Sequence, residues 1–161
     1  MRKILVGCVA ALGLVFALST SAMAIEVSKD VEVEAAPAEV WNKIGGWCSI
    51  RNWHPAIKTC EMSEEGGDTW RMLTTQDGAK IKEKRTAEGD MSYGYMIAES
   101  PLPVANYNAT ITVAKDDDSN ETKITWSANF DAKGASDEDA QKAIEGIFES
   151  GLNAIKESME K

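Results

Sequence analysis

Residues 41–60 read Trp-Asn-Lys-Ile-Gly-Gly-Trp-Cys-Ser-Ile-Arg-Asn-Trp-His-Pro-Ala-Ile-Lys-Thr-Cys, and the interpretation of the whole chain starts from them. This stretch holds three of the five tryptophans, the single histidine and two of the three cysteines. It has too many large apolar side chains for a solvated loop, and its Gly-Gly and His-Pro steps rule out one long element. The pattern predicts a lid or plug over a cavity, placed between a helix and a strand.

The flanking residues predict two short helices after a first strand. Valines alternate with charged residues over 27–33, which is typical of a half-buried strand. Pro37 suits the first turn of a helix that Gly45-Gly46 ends. A second short helix is expected over 47–53, because His54 precedes a proline and such a residue avoids helical geometry.

Residues 57–130 have the punctuation of an antiparallel meander of six further strands. Runs rich in Thr, Tyr, Ile, Val and Trp are separated by turn signals. These signals are Glu65-Gly66-Gly67-Asp68, Gln76-Asp77-Gly78, Glu88-Gly89-Asp90, Pro101-Leu102-Pro103 and residues 116–120. A long amphipathic helix follows, with Ser136 as its predicted N-cap. Only this helix is long enough to cover the apolar face of a curved sheet.

The N-terminus has the layout of an export signal. Two cations at positions 2 and 3 precede an apolar run over 4–18, and Ala22-Met23-Ala24 fits a cleavage site. A membrane anchor is the alternative, but the run is short for a bilayer span and ends in a polar Ser-Thr-Ser step. We therefore expect a signal peptide at 1–24, cleavage after Ala24, a mature domain at 25–161, a periplasmic or secreted location and no stable membrane anchor.

The composition is acidic. The formal net charge is −9, and losing Arg2 and Lys3 with the leader makes it −11. Such a charge argues against binding to nucleic acid or to anionic membranes. It is compatible with a basic periplasmic protein partner, although solubility is the simpler explanation.

The cysteines outside the leader, Cys48 and Cys60, form the only available pair. Paired cysteines of an exported protein tend to become disulfides in the oxidising compartment. Two reduced, buried cysteines are the alternative. Redox catalysis is not expected without a C-x-x-C spacing. No metal or cofactor is expected either, since the chain has one histidine and no tight cluster of ligands.

The order of elements, together with several short motifs, resembles the START-like (SRPBCC) superfamily, specifically its polyketide cyclase/dehydrase-type branch. The motifs are Trp53-His54-Pro55, Arg71-Met-Leu-Thr, Asp77-Gly78, Ser100-Pro101-Leu102-Pro103-Val104 and Gly151-Leu152. The resemblance implies an α+β helix-grip fold of the Bet v 1 type. In that fold a seven-stranded curved antiparallel sheet wraps around a long C-terminal helix and encloses a cavity for apolar small molecules.

Strand parity predicts which polar groups face that cavity. In residues 80–85 the three lysines must point to water, because burying an unpaired lysine is very costly. Glu83 and Arg85 then point inward. A three-residue loop at 76–78 pairs Arg71 with Glu83, whereas a two-residue loop would place Leu73 opposite a solvated lysine. The Arg71–Glu83 pair either anchors the polar group of a ligand or forms a structural ion pair at the rim of the sheet.

The other strands supply an apolar lining with few polar groups. Tyr95, Tyr107 and Trp126 lie on the predicted inner faces. A buried phenol needs a hydrogen-bond partner, which we expect to be Glu83 or the ligand. Trp53 and His54, at the end of the second helix, complete the predicted ligand contacts. His54 is expected to cap the helix or bond a backbone carbonyl, in preference to acting as a general base.

Three functions remain in view, and no catalytic residue is assigned. The first is an exported protein that binds an apolar or amphipathic small molecule. The second is a cyclase-like or dehydratase-like enzyme using Glu83 and Arg71. The third, implied by the resemblance alone, is an accessory factor for a periplasmic oxidoreductase or cytochrome of the methanol-oxidation type.

Overall fold

The computed structural model describes residues 23–117, 119 and 121–161. Seven strands and three helices follow one another along this part of the chain. The first strand and the two short helices are β1 (Ile25–Val33), α1 (Pro37–Ile44) and α2 (Ile50–Trp53). The remaining elements are β2 (Ile57–Glu65), β3 (Asp68–Thr75), β4 (Lys80–Gly89), β5 (Ser92–Glu99), β6 (Val104–Lys115), β7 (Thr122–Ala132) and α3 (Asp137–Met159).

All seven strands form one antiparallel sheet in the order β1-β7-β6-β5-β4-β3-β2. From β2 to β7 each strand pairs with the next one in the chain, which confirms the predicted meander. Register shifts interrupt the ladders near Thr59, Glu83, Ala87 and Asn108. Bulges of this kind bend strands and increase their twist. The predicted fold class is therefore confirmed: a curved sheet closes on a long C-terminal helix.

Helix α3 begins where the sequence indicated and packs along the concave face. The Ser136 hydroxyl accepts a hydrogen bond from the Asp139 N–H at 3.1 Å, as an N-cap does. Its buried residues repeat at helical spacing and face the sheet. They are Ala140, Ile144, Phe148, Gly151, Leu152 and Ile155.

The hairpin between β3 and β4 has the predicted register. Leu73 lies opposite Ile81, and Arg71 lies opposite Glu83. Gly78 has a φ of 90°, so the three-residue loop places its glycine in the left-handed region that other residues avoid. This register brings the guanidinium and the carboxylate together on the concave face.

Two element boundaries differ from the sequence-based expectation. The first strand begins at Ile25 instead of Val27, because its first residues pair with β7. The second helix spans only Ile50–Trp53, and residues 47–49 form a turn before it. The Ser49 hydroxyl bonds the carbonyl oxygens of Ile44 and Gly46, which closes the chain into this turn.

A disulfide joins Cys48 to Cys60, as predicted, with their Cα atoms 5.6 Å apart. It ties the turn before α2 to strand β2. The predicted signal peptide lies almost wholly outside the described residues. Within the described part of the chain, no helix has the length and apolarity needed to cross a bilayer.

Candidate ligand cavity

A cavity of about 100 Å³ lies between the concave face of the sheet, α2 and α3. Most of its wall is aliphatic. The aliphatic wall consists of Ile50, Ile57, Leu73, Ile81, Ile97, Leu102, Ile144 and Ile147. The polar or aromatic side chains that also face the cavity are His54, Thr75, Glu83, Tyr95, Tyr107 and Trp126. Five of the eight predicted ligand contacts therefore lie around one space.

The Arg71–Glu83 pair is buried in the interior and does not lie at the rim of the sheet. Arg71 is 1% exposed and Glu83 is 5% exposed. The Arg71 Nε donates to Glu83 Oε2 at 2.5 Å, and its Nη1 donates to the Trp47 carbonyl oxygen at 2.6 Å. The guanidinium lies 3.9 Å from the centroid of the Trp47 ring, a cation–π contact. The alternative of a partly wet ion pair at the rim was wrong, because both groups are buried and Trp47 lies over the guanidinium. Trp47 belongs to the stretch 41–60, called the plug segment from here on.

The pKa values of this pair reflect burial and mutual attraction. Burial raises the pKa of Glu83, and the Arg71 charge opposes that rise by favouring the carboxylate. Burial alone would lower the pKa of Arg71, but the adjacent Glu83 carboxylate reverses this and the net shift is upward. Arg71 therefore stays charged. An ion pair with this geometry is costly to break from one side only.

The two cavity tyrosines bond each other and a tryptophan. The Trp126 Nε1–H donates to the Tyr95 hydroxyl at 3.0 Å, and the Tyr95 and Tyr107 hydroxyls are 3.4 Å apart. The expected bond to Glu83 is not formed, because Trp126 of β7 reaches Tyr95 across the curved sheet instead. A ligand as a further partner of these phenols remains a prediction. Burial raises the pKa of both tyrosines, so both remain protonated.

His54 is occupied at both ring nitrogens. Its Nδ1 accepts from the Ala56 N–H at 3.2 Å, so the proton is on Nε2, which donates to the Ile147 carbonyl oxygen at 3.0 Å. Burial lowers the pKa of His54, and the bond to Ile147 opposes this. A neutral ring with both nitrogens engaged holds α2 to α3 and has no free lone pair for base catalysis. The predicted bond to a backbone carbonyl is confirmed.

Trp53, Arg71 and Arg85 lie outside the cavity wall. Trp53 packs edge-on against Trp126, with ring centroids 5.7 Å apart. The Arg85 side chain is 28% exposed and reaches Thr69 and Glu88. Arg71 contacts two residues of the cavity wall, Glu83 through its Nε and Tyr95 through its guanidinium, which lies 5.2 Å from the Tyr95 ring centroid. The plug segment contributes Ile50, His54, Ala56 and Ile57 to the cavity wall.

A second depression lies beside the cavity, where strands β5 and β6 separate. Their pairing ends at Met96 opposite Asn108, although β5 continues to Glu99. Asn106 has a φ of 52°, and β6 bulges there. The depression shares Ile97 and Tyr107 with the cavity. These two side chains therefore separate the cavity from the outer surface.

Sequence reasoning missed two structural partners of the site. Trp47 supplies a ring and a carbonyl oxygen to Arg71. Gly151 lets α3 approach the plug closely, since a Cβ there would lie 2.7 Å from His54 Cδ2 and 3.0 Å from both Trp53 and Trp126. The Gly151-Leu152 motif was a signal for the second partner. In the described residues, no group of three or more His, Cys, Asp and Glu is placed to hold a metal ion.

Comparison with solved structures supports the same fold. The protein XoxI from Bacillus cereus is 33% identical, with a TM-score of 0.79 over 84% of this chain and 96% of that chain. An uncharacterised protein from Bacillus thuringiensis is 32% identical, with a TM-score of 0.79 over 85% of this chain and 100% of its own. The Zhui aromatase/cyclase of a Streptomyces species is 18% identical, with a TM-score of 0.67 over 85% and 94%, which shows the fold alone.

The search of curated proteins found no match. The profile of one family, described as polyketide cyclase / dehydrase and lipid transport, matches residues 24–160. This range includes all seven strands, the plug segment and α3. The chain therefore belongs to the polyketide cyclase/dehydrase and lipid-transport family.

Proposed function

We propose that this protein binds a small apolar molecule inside the cavity and that binding, without catalysis, is its function. The observation that carries the proposal is the cavity itself, enclosed by aliphatic side chains and a few polar groups. Ligand sites in proteins have this composition, with polar groups that fix the orientation of a mostly apolar molecule. The START-like fold supports the same reading.

The volume limits the size of the ligand. Cavities for drug-sized ligands are typically ~300–1,000 Å³, whereas this one is about 100 Å³. An apolar cavity of about 150 Å³ in another protein accepts benzene. The ligand is therefore about the size of one six-membered ring, and a substantially larger one requires the wall to move.

The separation of β5 from β6 offers a route into the cavity. Ile97 is partly exposed and stands between the cavity and the outer depression. Rotation of this side chain opens a path that breaks no strand pairing, since pairing ends at Met96. The ligand then passes beside Tyr107, which lines both the cavity and the outer depression.

The same geometry weighs against cyclase-like chemistry on a polyketide. His54 has no free nitrogen, and the space is too small for several fused rings. Glu83 is the side chain best placed to act as a base, because its carboxylate faces the cavity and burial raises its pKa. Turnover by the wild type that Glu83→Gln abolishes, with binding intact, would favour the enzyme over the binding protein.

We propose that this binding occurs outside the cytoplasm. The expected cleavage after Ala24 would leave Ile25 as the first residue, and β1 begins at Ile25. The Cys48–Cys60 disulfide is also of the kind formed in oxidising compartments. An N-terminus of the mature protein other than Ile25 would contradict this placement. A basic partner protein remains a prediction, and its capture should weaken as salt rises.

The binding proposal is tested by titrating the purified protein with benzene, toluene, phenol and cyclohexanol while recording amide NMR shifts. We expect shifts that saturate and centre on the residues around the cavity. Ile147→Phe fills the cavity from α3 and should abolish them. Met159→Phe is the matched control on the same helix, outside the cavity wall, and should bind as the wild type does. Absence of binding by all four compounds, or equal binding by Ile147→Phe, would overturn the proposal.

A further inference from the structure

The Tyr95 and Tyr107 hydroxyls have two O–H protons between them, but only one of these protons has a hydrogen-bond acceptor among the described residues. Tyr95 and Tyr107 share one hydrogen bond, and Trp126 uses Tyr95 as its acceptor. Each phenol has one O–H proton and can donate once. Whichever tyrosine donates to the other, the remaining O–H proton has no acceptor among the described residues. The cavity therefore contains one unused phenolic donor.

Glu83 supplies the matching acceptor. Its Oε2 is bonded to Arg71, whereas no described residue donates a hydrogen bond to its Oε1. The side chain is only 6% exposed and its carboxylate lies at the cavity wall. A carboxylate oxygen removed from bulk water is a strong acceptor for an O–H donor. An unused donor and an unused acceptor thus border the same small, otherwise aliphatic space.

We infer that the ligand is a neutral molecule of about the size of one six-membered ring that carries one hydroxyl group, such as a phenol or a small cyclic alcohol. Its hydroxyl donates to Glu83 Oε1 and accepts from the free O–H of the Tyr95–Tyr107 pair. Its carbon skeleton contacts the aliphatic wall. This inference rests on the proposed binding function and names the chemical class of the ligand.

Ligands of other chemical classes leave a hydrogen-bonding group or a charge in the cavity without a partner. A hydrocarbon leaves both the phenolic donor and the Glu83 acceptor unpaired, which is costly in a buried site. A carboxylate places a second negative charge beside Glu83. An ammonium adds a net charge to the Arg71–Glu83 pair, which is already neutral overall, and an unpaired buried charge is expensive. A ketone accepts from the tyrosine but gives nothing to Glu83.

Phenol and toluene test the inference, because they differ only by a hydroxyl in place of a methyl group. In a purely apolar cavity toluene binds more tightly, since its methyl group is the more hydrophobic substituent. We expect the wild type to prefer phenol by about tenfold or more in calorimetric titrations, as one charge-assisted hydrogen bond supplies that ratio. Equal or tighter binding of toluene overturns the inference and leaves the proposed function intact. Binding of neither compound overturns the inference, and the proposed function falls with it when benzene and cyclohexanol also fail to bind.

Two variants test whether the Glu83 carboxylate causes the preference for phenol over toluene. In Glu83→Gln the amide keeps the shape of the side chain but removes the charged acceptor, so the preference for phenol should fall by about tenfold. Thr122→Val removes a buried hydroxyl that bonds the Ala35 carbonyl oxygen, outside the cavity wall, and should leave the preference unchanged. Retention of the preference in Glu83→Gln, or its loss in Thr122→Val, contradicts the assigned contacts. The wild-type comparison stands even if Glu83→Gln fails to fold.

Discussion

Two regions of the interior differ in how completely they are filled. The aromatic cluster, formed by Trp41, Trp47, Tyr93 and Tyr95 around the Arg71 guanidinium, is closely packed. Its ring centroids lie 5.4 Å apart for Trp47 and Tyr93 and 6.0 Å apart for Trp41 and Tyr93. The aliphatic wall, in contrast, borders the cavity of about 100 Å³. Wide, rigid rings and a planar guanidinium fill the space between sheet and plug, whereas short branched side chains leave part of it empty.

Glu83 lies at the border between these regions. Its Oε2 bonds Arg71 beside the aromatic cluster, and the residue also lines the cavity. The Arg71 charge favours the carboxylate form of Glu83 and opposes the rise in its pKa that burial causes. The filled region thus fixes the position of a side chain that also lines the hollow region.

Removing Glu83 should have the largest effect on stability. Glu83→Leu leaves the Arg71 charge buried without its partner, and breaking a buried pair in this way costs about 3–5 kcal/mol. The free energy of unfolding, measured by urea denaturation, should fall by that amount.

The double variant Arg71→Met/Glu83→Leu provides the control. Replacing both members of a buried pair by apolar side chains is often neutral or stabilising. We therefore expect it to be more stable than Glu83→Leu alone. A loss in Glu83→Leu of less than about 1 kcal/mol, the range of exposed ion pairs, would contradict the burial of this pair.

Removing the disulfide should have the next largest effect. Cys48 and Cys60 are 12 residues apart, and closing a loop of about this length stabilises a fold by about 3 kcal/mol. In urea denaturation, the free energy of unfolding of Cys48→Ala/Cys60→Ala should be lower than that of the wild type by this amount. Reductant should lower the free energy of unfolding of the wild type to that of the variant, and it should leave the value for the variant unchanged. A variant that responds to reductant as the wild type does would contradict the prediction.

A methyl group on Gly151 should have a smaller effect that is confined to the packing of α3. Its Cβ would meet the rings of His54, Trp53 and Trp126 at 3.0 Å or less. Overpacking of this kind costs about 1–3 kcal/mol. Gly146→Ala is the matched control on the same helix, because its Cβ would have no neighbour within 4 Å. Alanine is the better helix former by about 1 kcal/mol, so Gly146→Ala should be stabilising. In thermal denaturation, alanine at Gly151 should lower the Tm and alanine at Gly146 should raise it.

The sequence predicted the strand register correctly where a wrong register would have buried a lysine. A shift of one residue in the β3–β4 hairpin would turn Lys82 inward, so parity determined that Arg71 faces Glu83. The order of elements likewise left few folds available, and the fold class was predicted correctly. The alternation of side chains along single strands and the order of the elements were sufficient to predict this register and the fold class.

The contents of the cavity could not be predicted in the same way. Trp126 reaches Tyr95 from a different strand, and that contact depends on the curvature of the sheet. The position of Trp47 could have been inferred in part, because Cys60 lies opposite Leu73 and its disulfide brings the neighbouring turn close to β3. The volume of the cavity depends on small offsets between packed elements, and no sequence pattern reports them.

The smallest predicted effect is a pH dependence carried by His54. The pKa of His54 is below its ordinary value of 6.5 in the folded protein, because the ring is buried between α2 and α3. In the unfolded chain the histidine takes up a proton as the pH falls below 6.5, whereas the folded protein does so only at lower pH. The contribution of His54 to stability is therefore fully present above pH 6.5 and is lost as the pH falls toward the folded pKa.

Glu83 has the opposite dependence, so the effect of His54 must be measured as a difference. The raised pKa of Glu83 makes the folded protein hold its proton longer, and this stability is lost as the pH rises above the ordinary value of 4.5. His54→Gln retains an amide that can donate to the Ile147 carbonyl but does not titrate. Between pH 7 and pH 5, the wild type should lose more stability than His54→Gln in urea denaturation. Equal losses would mean that the ring takes up its proton in the folded protein, which the two occupied nitrogens and the packing against Trp126 make unfavourable.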